Sequence, residues 1–172
     1  MDIGLFVLRL AIGLLFIGHG TQKLFGWFGG HGLKGTGGFF ESIGYRPGPF
    51  MALIAGATET LGGLFLVSGF LTPLGAAMIV GVMINAIVSV KKSQGLWGGY
   101  ELDLLYGVGA LVLAFTGPGA YSLDAAIGWD IAGVAWGIAA LALGVATGVF
   151  ALTSRRVTQP AAIPEVEQRR AA

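Results

Sequence analysis

The sequence contains no cysteine and only two histidines, and each shortage excludes a kind of site. Without cysteine the chain cannot form a disulfide, hold an iron–sulfur cluster through thiolates or use a thiolate nucleophile. His19 and His31 are too few for a conventional structural zinc site or for two bis-histidine haems. We therefore expect no metal site, and any redox chemistry would depend on a small molecule or a partner subunit.

Charged residues are also scarce. They make up 11% of the chain, against about 25% in typical soluble domains. Hydrophobic residues make up 55%, and the mean hydropathy is +0.79. So few charged side chains cannot coat a water-soluble surface, whereas a lipid-facing surface needs no such coat. The net charge of +1 provides no basic field for nucleic acid. The composition predicts an integral membrane protein that does not bind nucleic acid.

Five apolar stretches approach or reach the roughly 20 residues that a membrane-spanning helix needs. They cover residues 3–25, 50–71, 73–91, 102–118 and 131–152. The first is not a typical signal peptide, because Arg9 interrupts it and no basic region precedes it. We predict an all-α integral membrane protein, in which a four-helix transmembrane bundle is accompanied by an additional fifth transmembrane helix.

The connections between these stretches differ in their positive charge. If five helices span the membrane, one side receives six cations: Lys34, Arg46, Lys91, Lys92, Arg155 and Arg156. The positive-inside rule then predicts an N-terminus outside and a C-terminus in the cytoplasm. Phe39, Phe40 and Ile43 predict a short amphipathic helix in the first connection. The polar, proline-containing tail over residues 154–172 is expected to be disordered.

Ionisable side chains lie inside the predicted spans, where each charge costs about 2.5–3.5 kcal/mol on insertion scales. At 100° per residue, Arg9, His19 and Lys23 share one face of the first helix. Glu59 is near the middle of the second span, where a carboxyl group must be protonated or paired with a cation. With polar residues of the third and fourth spans they form the predicted buried polar pocket: Arg9, His19, Lys23, Glu59, Asn85, Glu101, Asp103 and Tyr106.

Simpler interpretations exist for several of these side chains. Arg9 and Lys23 are near helix ends and can extend to the membrane interface. Glu101 and Asp103 can stabilise the start of a helix, where negative charge is favoured. Glu59 is too deep for either explanation, so its carboxyl group is expected to be functional or part of a polar network.

The fifth stretch carries a line of small residues and no charge. These residues are Gly133, Gly137, Ala140, Gly144 and Gly148. Such a seam favours close packing against another helix, in this chain or in a second copy. The second alternative predicts a homo-oligomer that forms through Gly133, Gly137, Gly144 and Gly148.

Several segments follow one another in a recognisable order. RLAIGLLFIGHGTQKLFGWFGGHGLKGTGGFFESIG at 9–44 is followed by GATETLGGLFLVSGFLTPLGAA at 56–77 and GVMINAIVSV at 81–90. GGYELDLL at 98–105 and GPGAYSLD at 117–124 complete the series. In this order the segments resemble the DoxX family of small bacterial and archaeal membrane proteins.

The resemblance implies a four-helix core over residues 1–125. The extra transmembrane helix over 126–153 and the disordered cytoplasmic tail over 154–172 lie beyond that core. It also implies a multi-pass protein of the bacterial or archaeal plasma membrane. The implied polar signature positions are Arg9, His19, Lys23, Glu59, Glu101 and Asp124. A signature loop is implied at Gly117, Pro118, Gly119, Ser122 and Asp124. The family often has a histidine where this chain has Lys91.

Three functions are compatible with these observations, and we favour the first. The family is named for a subunit of an archaeal thiosulfate:quinone oxidoreductase, which implies an accessory subunit or anchor of an oxidoreductase assembly. In that role the chain is at most a non-catalytic or quinone-interacting subunit, without a covalently bound cofactor. His19 and Glu59 can hydrogen-bond and protonate a quinone oxygen.

The other two functions follow from the buried charges alone. A carboxylate, an imidazole and an ammonium group are the parts of a proton relay, as in a proton-coupled small-molecule transporter or channel subunit. The same groups could instead fix the register of the helices in a purely structural protein.

Overall fold

Five long apolar helices dominate the computed structural model, which describes residues 1–156 and contains no strand there. They are α1 (Asp2–Phe25), α3 (Gly48–Ser68), α4 (Thr72–Ala86), α5 (Glu101–Thr116) and α7 (Val134–Thr153). Two shorter helices, α2 (Gly32–Ser42) and α6 (Leu123–Ala126), lie in the connections. With the turns that extend α4 and α5, all five are long and apolar enough to cross a membrane. The predicted all-α fold with five spanning helices is confirmed.

Glycine and proline set the ends of these helices. α1 ends at Gly26, whose φ of 75° is left-handed and whose N–H donates to the carbonyl of Gln22. Pro49 is in the first turn of α3, and Pro73 is in the first turn of α4. Proline is favoured there because its missing N–H has no partner in the first turn of a helix. α2 covers the short helix predicted around Phe39.

α1 and α3 pack along their length through glycine. A Cβ atom on Gly63 would lie 2.5 Å from the carbonyl oxygen of Gly13, and one on Gly20 would lie 2.6 Å from that of Gly56. The two backbones therefore touch without side chains between them, as in small-residue helix pairs of membranes. This close approach brings the polar side chains on the facing surfaces within reach of each other.

The small-residue seam of α7 packs inside the chain. Gly137 lies against the ring of Phe115 in α5, and a Cβ on Gly144 would meet Val80 Cβ of α4 at 2.8 Å. Gly148 similarly faces Ile84, while nothing lies within 4 Å of a Cβ on Gly133. Of the two predicted alternatives, the structure therefore has the first. Helices of the same chain occupy the face of Gly137, Gly144 and Gly148, and a homo-oligomer through Gly133, Gly137, Gly144 and Gly148 stays a prediction.

The bundle has two ends, which we name after a residue at each. The Asp124 end contains the chain start, the turn between α3 and α4, and residues 117–133; the Lys91 end contains residues 26–47, residues 87–100 and the end of α7. The six cations used to predict the orientation all lie toward the Lys91 end. Which end is cytoplasmic stays a prediction, as do the boundaries at 125 and 153. Most of the predicted disordered tail, residues 157–172, lies outside the described residues.

Candidate functional site

The predicted buried polar pocket divides into separate groups. His19, Lys23 and Glu59 come together between α1 and α3, and Tyr106 approaches them through Phe16. Of the other four predicted residues, Arg9, Asn85 and Asp103 each belong to a different contact, and Glu101 is exposed. We call the first group, with Phe16 and Tyr106, the His19 site.

Lys23 and Glu59 form an ion pair inside the bundle. Lys23 Nζ lies 2.5 Å from Glu59 Oε2 and also donates to the carbonyl of His19 at 3.4 Å. The residue Glu59 is 4% exposed, whereas the side chain of Lys23 is 24% exposed. Lys23 thus turns back along α1 toward the carboxylate instead of extending to the interface. The prediction that Glu59 is buried and paired with a cation agrees with this geometry.

His19 lies at the surface of α1 beside this pair. Its imidazole is exposed, with Nδ1 3.3 Å from Gln22 Oε1, while its backbone carbonyl accepts from Lys23, the partner of Glu59. The His19 ring meets the edge of Phe16 at a centroid distance of 6.2 Å, and Phe16 meets Tyr106 of α5 at 5.8 Å. An exposed imidazole therefore lies one turn before the lysine that pairs with a buried carboxylate.

Beside the His19 site, α1 packs against α5. Toward the Asp124 end these helices touch, since Gly109 of α5 leaves room for Ile12 of α1, whose Cδ1 lies 2.8 Å from a Cβ built at that glycine. Phe16 is completely buried beneath them. One turn further toward the Lys91 end, His19 is exposed. A ligand could reach the imidazole from the side of the bundle, at the level where the apolar core ends.

Arg9 is not part of the His19 site, although it shares a helix face with His19. Ten residues of α1 separate them, which is about 15 Å along the axis. Arg9 is completely buried at the Asp124 end, where Nη1 donates to the carbonyl of Leu66 at 3.4 Å and Nη2 donates to that of Tyr121. Arg9 therefore neither joins the predicted pocket nor extends to the interface. It ties the end of α3 to the loop after α5.

Asp124, a predicted signature residue, fastens the same loop to α4. Its carboxylate accepts hydrogen bonds from the N–H groups of Leu71 at 2.9 Å and Thr72 at 3.3 Å, and from the Thr72 hydroxyl at 3.3 Å. These N–H groups open α4 and have no partner within the helix, so a carboxylate there completes the helix start. The other predicted loop residues, Gly117, Pro118, Gly119 and Ser122, form the turn that leads to Asp124. The signature loop thus attaches the connection after α5 to the start of α4 at the Asp124 end.

Asn85 also lies apart from the His19 site, on the seam between α4 and α7. It donates to the carbonyls of Gly81 and Gly148, at 3.2 and 3.0 Å, and accepts from the hydroxyl of Tyr45 at 2.6 Å. Tyr45 additionally lies 2.8 Å from Ser89 Oγ. Sequence reasoning missed Tyr45, because it stands in the connection before α3 and not in a span.

Asp103 forms an ion pair with Lys91, a residue that the sequence analysis did not place in the buried polar pocket. Lys91 Nζ lies 2.6 Å from Asp103 Oδ2, which joins the π-helical turn Ile87–Lys91 to the start of α5. Glu101 is exposed in the first turn of α5 and lies outside any buried pocket, as its simpler interpretation predicted. Over residues 1–156, no three histidine or acidic side chains are grouped as metal ligands would be.

Comparisons with known proteins agree with a membrane protein. The family model described as DoxX matches residues 4–92, which include His19, Lys23 and Glu59. A Bacillus subtilis protein named "Putative oxidoreductase CatD" is 33% identical over 123 residues, covering 72% of this chain and 86% of the relative. The Escherichia coli Inner membrane protein YqjF is 34% identical over 126 residues, covering 72% and 91%.

A third relative, an uncharacterized membrane protein of Mycobacterium tuberculosis, is 31% identical over 130 residues, covering 68% of this chain and 77% of the relative. No solved structure matches the chain.

Proposed function

Because the chain belongs to the DoxX family, we propose that it is a membrane-embedded accessory subunit of an oxidoreductase assembly and that its His19 site binds a quinone. The buried Lys23–Glu59 pair next to an exposed imidazole is the observation that supports this proposal most. Further support comes from a relative that is 33% identical and whose name refers to an oxidoreductase.

The His19 site has the chemistry that a quinone headgroup requires. A quinone ring is flat and apolar with carbonyl oxygens, so it needs hydrogen-bond donors beside aromatic surface. His19 supplies an imidazole, the ring of Phe16 lies 6.2 Å from it, and the ring of Tyr106 lies 5.8 Å from that of Phe16. His19 stands six residues before the end of α1, about 9 Å from that end at 1.5 Å per residue. A ring at this depth keeps its isoprenoid tail in the hydrocarbon.

Lys23 and Glu59 supply the electrostatics of the site. The ion pair places one ammonium group and one carboxylate behind the imidazole, shielded from lipid by α1 and α3. An imidazole at this place can donate a hydrogen bond and transfer a proton. A bound quinone would supply the two-electron redox chemistry, while these residues bind it, orient it and hold a proton.

The proposal assigns the electron source to a partner. Because the chain has no cysteine, a thiolate-ligated cluster must belong to another subunit. The exposed faces of the five helices leave room for lipid and for such a subunit. This chain then contributes a quinone site to the assembly and no catalysis of its own.

Affinity purification from native membranes, with mass spectrometry of both proteins and lipids, tests the proposal. We expect a redox-enzyme subunit and a quinone to co-purify with the wild-type chain. His19→Ala should lower the quinone content several-fold, whereas His31→Ala, which changes the other exposed histidine, should leave it unchanged. Recovery of neither a redox partner nor a quinone would refute the proposal.

Two variants, Glu59→Gln and His19→Ala, distinguish the other two functions. Liposome flux of a small molecule that disappears in Glu59→Gln would indicate a proton-coupled transporter or channel subunit. If Glu59→Gln and His19→Ala lowered only thermal stability in detergent, the buried charges would be purely structural.

A further inference from the structure

A polar cavity lies at the Lys91 end, apart from the His19 site. It has a volume of about 820 Å³ and is lined by Glu41, Arg46, Pro47, Thr153, Ser154 and Arg156. One wall is therefore the connection between α2 and α3, and the other is the end of α7. Neither the family match over residues 4–92 nor the proposed function accounts for it.

Backbone contacts hold the two walls of this cavity together. Arg156 N donates to the carbonyl of Gly44 at 2.8 Å, and Arg155 Nε donates to that of Ile43 at 3.0 Å. The Arg155 guanidinium also lies over the ring of Tyr45, 5.6 Å from its centroid. Because Tyr45 is itself buried and bonded to α4, the end of α7 is fixed to the main bundle. The cavity is a built feature and not a gap between two loose loops.

The cavity carries an excess of positive charge. Arg46 and Arg156 are exposed, and within residues 1–156 no carboxylate lies within ion-pair distance of either guanidinium. Glu41 is already engaged, since its Oε1 accepts a hydrogen bond from Gly48 N at 3.0 Å at the start of α3. Two arginines that line one space favour an anion, and a phosphate group matches the planar donor geometry of guanidinium groups.

The position of the cavity favours an anion that is part of a lipid. α3 begins and α7 ends at its walls, so it lies where the hydrocarbon meets the headgroups. Phe50 is three residues after Pro47, and Phe150 is three residues before Thr153, so each lies below the cavity on the same helix face. These residues are 53% and 77% exposed, which leaves an apolar surface about one helical turn from the cavity lining.

We propose that this cavity binds the phosphate group of an anionic phospholipid, through Arg46 and Arg156, with the acyl chains lying along Phe50 and Phe150. The site depends on α7, because the helix end supplies one of the two arginines and closes the cavity. The bound lipid would seal the fifth helix to the core of the bundle at the membrane surface.

Native mass spectrometry of the full chain, titrated with phosphatidylglycerol in detergent, tests this site. We expect Arg46→Gln and Arg156→Gln each to weaken binding about fivefold, since a basic residue near an anionic lipid contributes about that factor. Lys92→Gln, which removes an exposed lysine at the same end but outside the cavity, should leave the affinity unchanged. An equal loss in all three variants, or no loss in any, would refute the site.

Three further titrations identify the source of the anion. Phosphatidylcholine should bind more weakly than phosphatidylglycerol, and inorganic phosphate should bind hardly at all, because it lacks the acyl chains. Binding of inorganic phosphate as tight as that of the lipid would overturn the lipid assignment. Glu165→Gln/Glu167→Gln should bind lipid as the wild type does. If lipid bound only to that double variant, the chain's own tail carboxylates would be the occupant instead.

Discussion

The Lys23–Glu59 ion pair makes the most direct stability prediction, because one partner is almost fully buried. Glu59→Gln leaves the ammonium group without its counter-charge, and Lys23→Met leaves a carboxylate inside the bundle. Breaking a buried ion pair by removing one partner typically costs about 3–5 kcal/mol. The side chain of Lys23 is 24% exposed, so part of that cost is relieved by solvent or headgroups. We expect a cost of about 2–3 kcal/mol for each single variant.

The double variant Lys23→Met/Glu59→Gln removes both charges and should therefore be more stable than the two single effects predict. We expect a coupling free energy of about 1–3 kcal/mol, in the range found for residues in one polar contact. Unfolding of the full chain in mild detergent, titrated with SDS and followed by tryptophan fluorescence, measures the stability of the wild type, both single variants and the double variant. Lys34→Met, which changes an exposed lysine, serves as the control and should shift stability by less than about 0.5 kcal/mol.

Additivity would refute this reasoning. If the two single effects summed to the double effect within about 0.3–0.5 kcal/mol, the two side chains would not interact. A partner other than Lys23 would then stabilise the Glu59 carboxylate inside the membrane.

Two contacts at other places in the bundle lead to predictions of the same kind. Gly144→Leu should destabilise the chain by more than about 2 kcal/mol, since the new side chain would separate α7 from α4. Ala146→Leu on the exposed face of the same helix is the matched control. Equal stability of both variants would contradict the close packing of Gly144 against α4. Asp124→Asn should cost about 1–3 kcal/mol in the same SDS titration, because one of the N–H groups that open α4 loses its acceptor. Asp130→Asn, an exposed change in the same connection, should have no measurable effect; a loss as large would show that the fastening does not depend on Asp124.

The spanning helices could be predicted because an apolar run of about 20 residues is typical of a transmembrane helix. Most predicted ends lie within about three residues of the observed ones, since glycine and proline mark most of them. The exception is the end of α4, predicted at residue 91 and observed at Ala86, because a π-helical turn continues from there to Lys91. Depth alone identified Glu59 as buried, and helical periodicity put His19 and Lys23 on one face. The core of the His19 site was therefore readable from the sequence.

The remaining polar residues could not be grouped correctly, for two physical reasons. Helical angle places Arg9 on the face of His19, but the rise along the axis separates them by about 15 Å. The partners of Asn85 and Asp103 depend on which helices become neighbours, and apolar runs carry no such information. Tyr45 bonds to Asn85, 40 residues further along the chain. The cavity at the end of α7 arises from contacts between segments more than a hundred residues apart, as between Arg155 and Ile43.

Photolabelling with an azido-quinone, followed by peptide mapping, tests the central claim most directly. The account predicts that the wild-type chain, in native membranes, is labelled on α1 near His19 or on α5 near Tyr106. Excess natural quinone should prevent the labelling, and His19→Ala should reduce it several-fold while His31→Ala does not. Labelling confined to other helices, or labelling that neither competitor nor variant changes, would contradict a quinone site at His19.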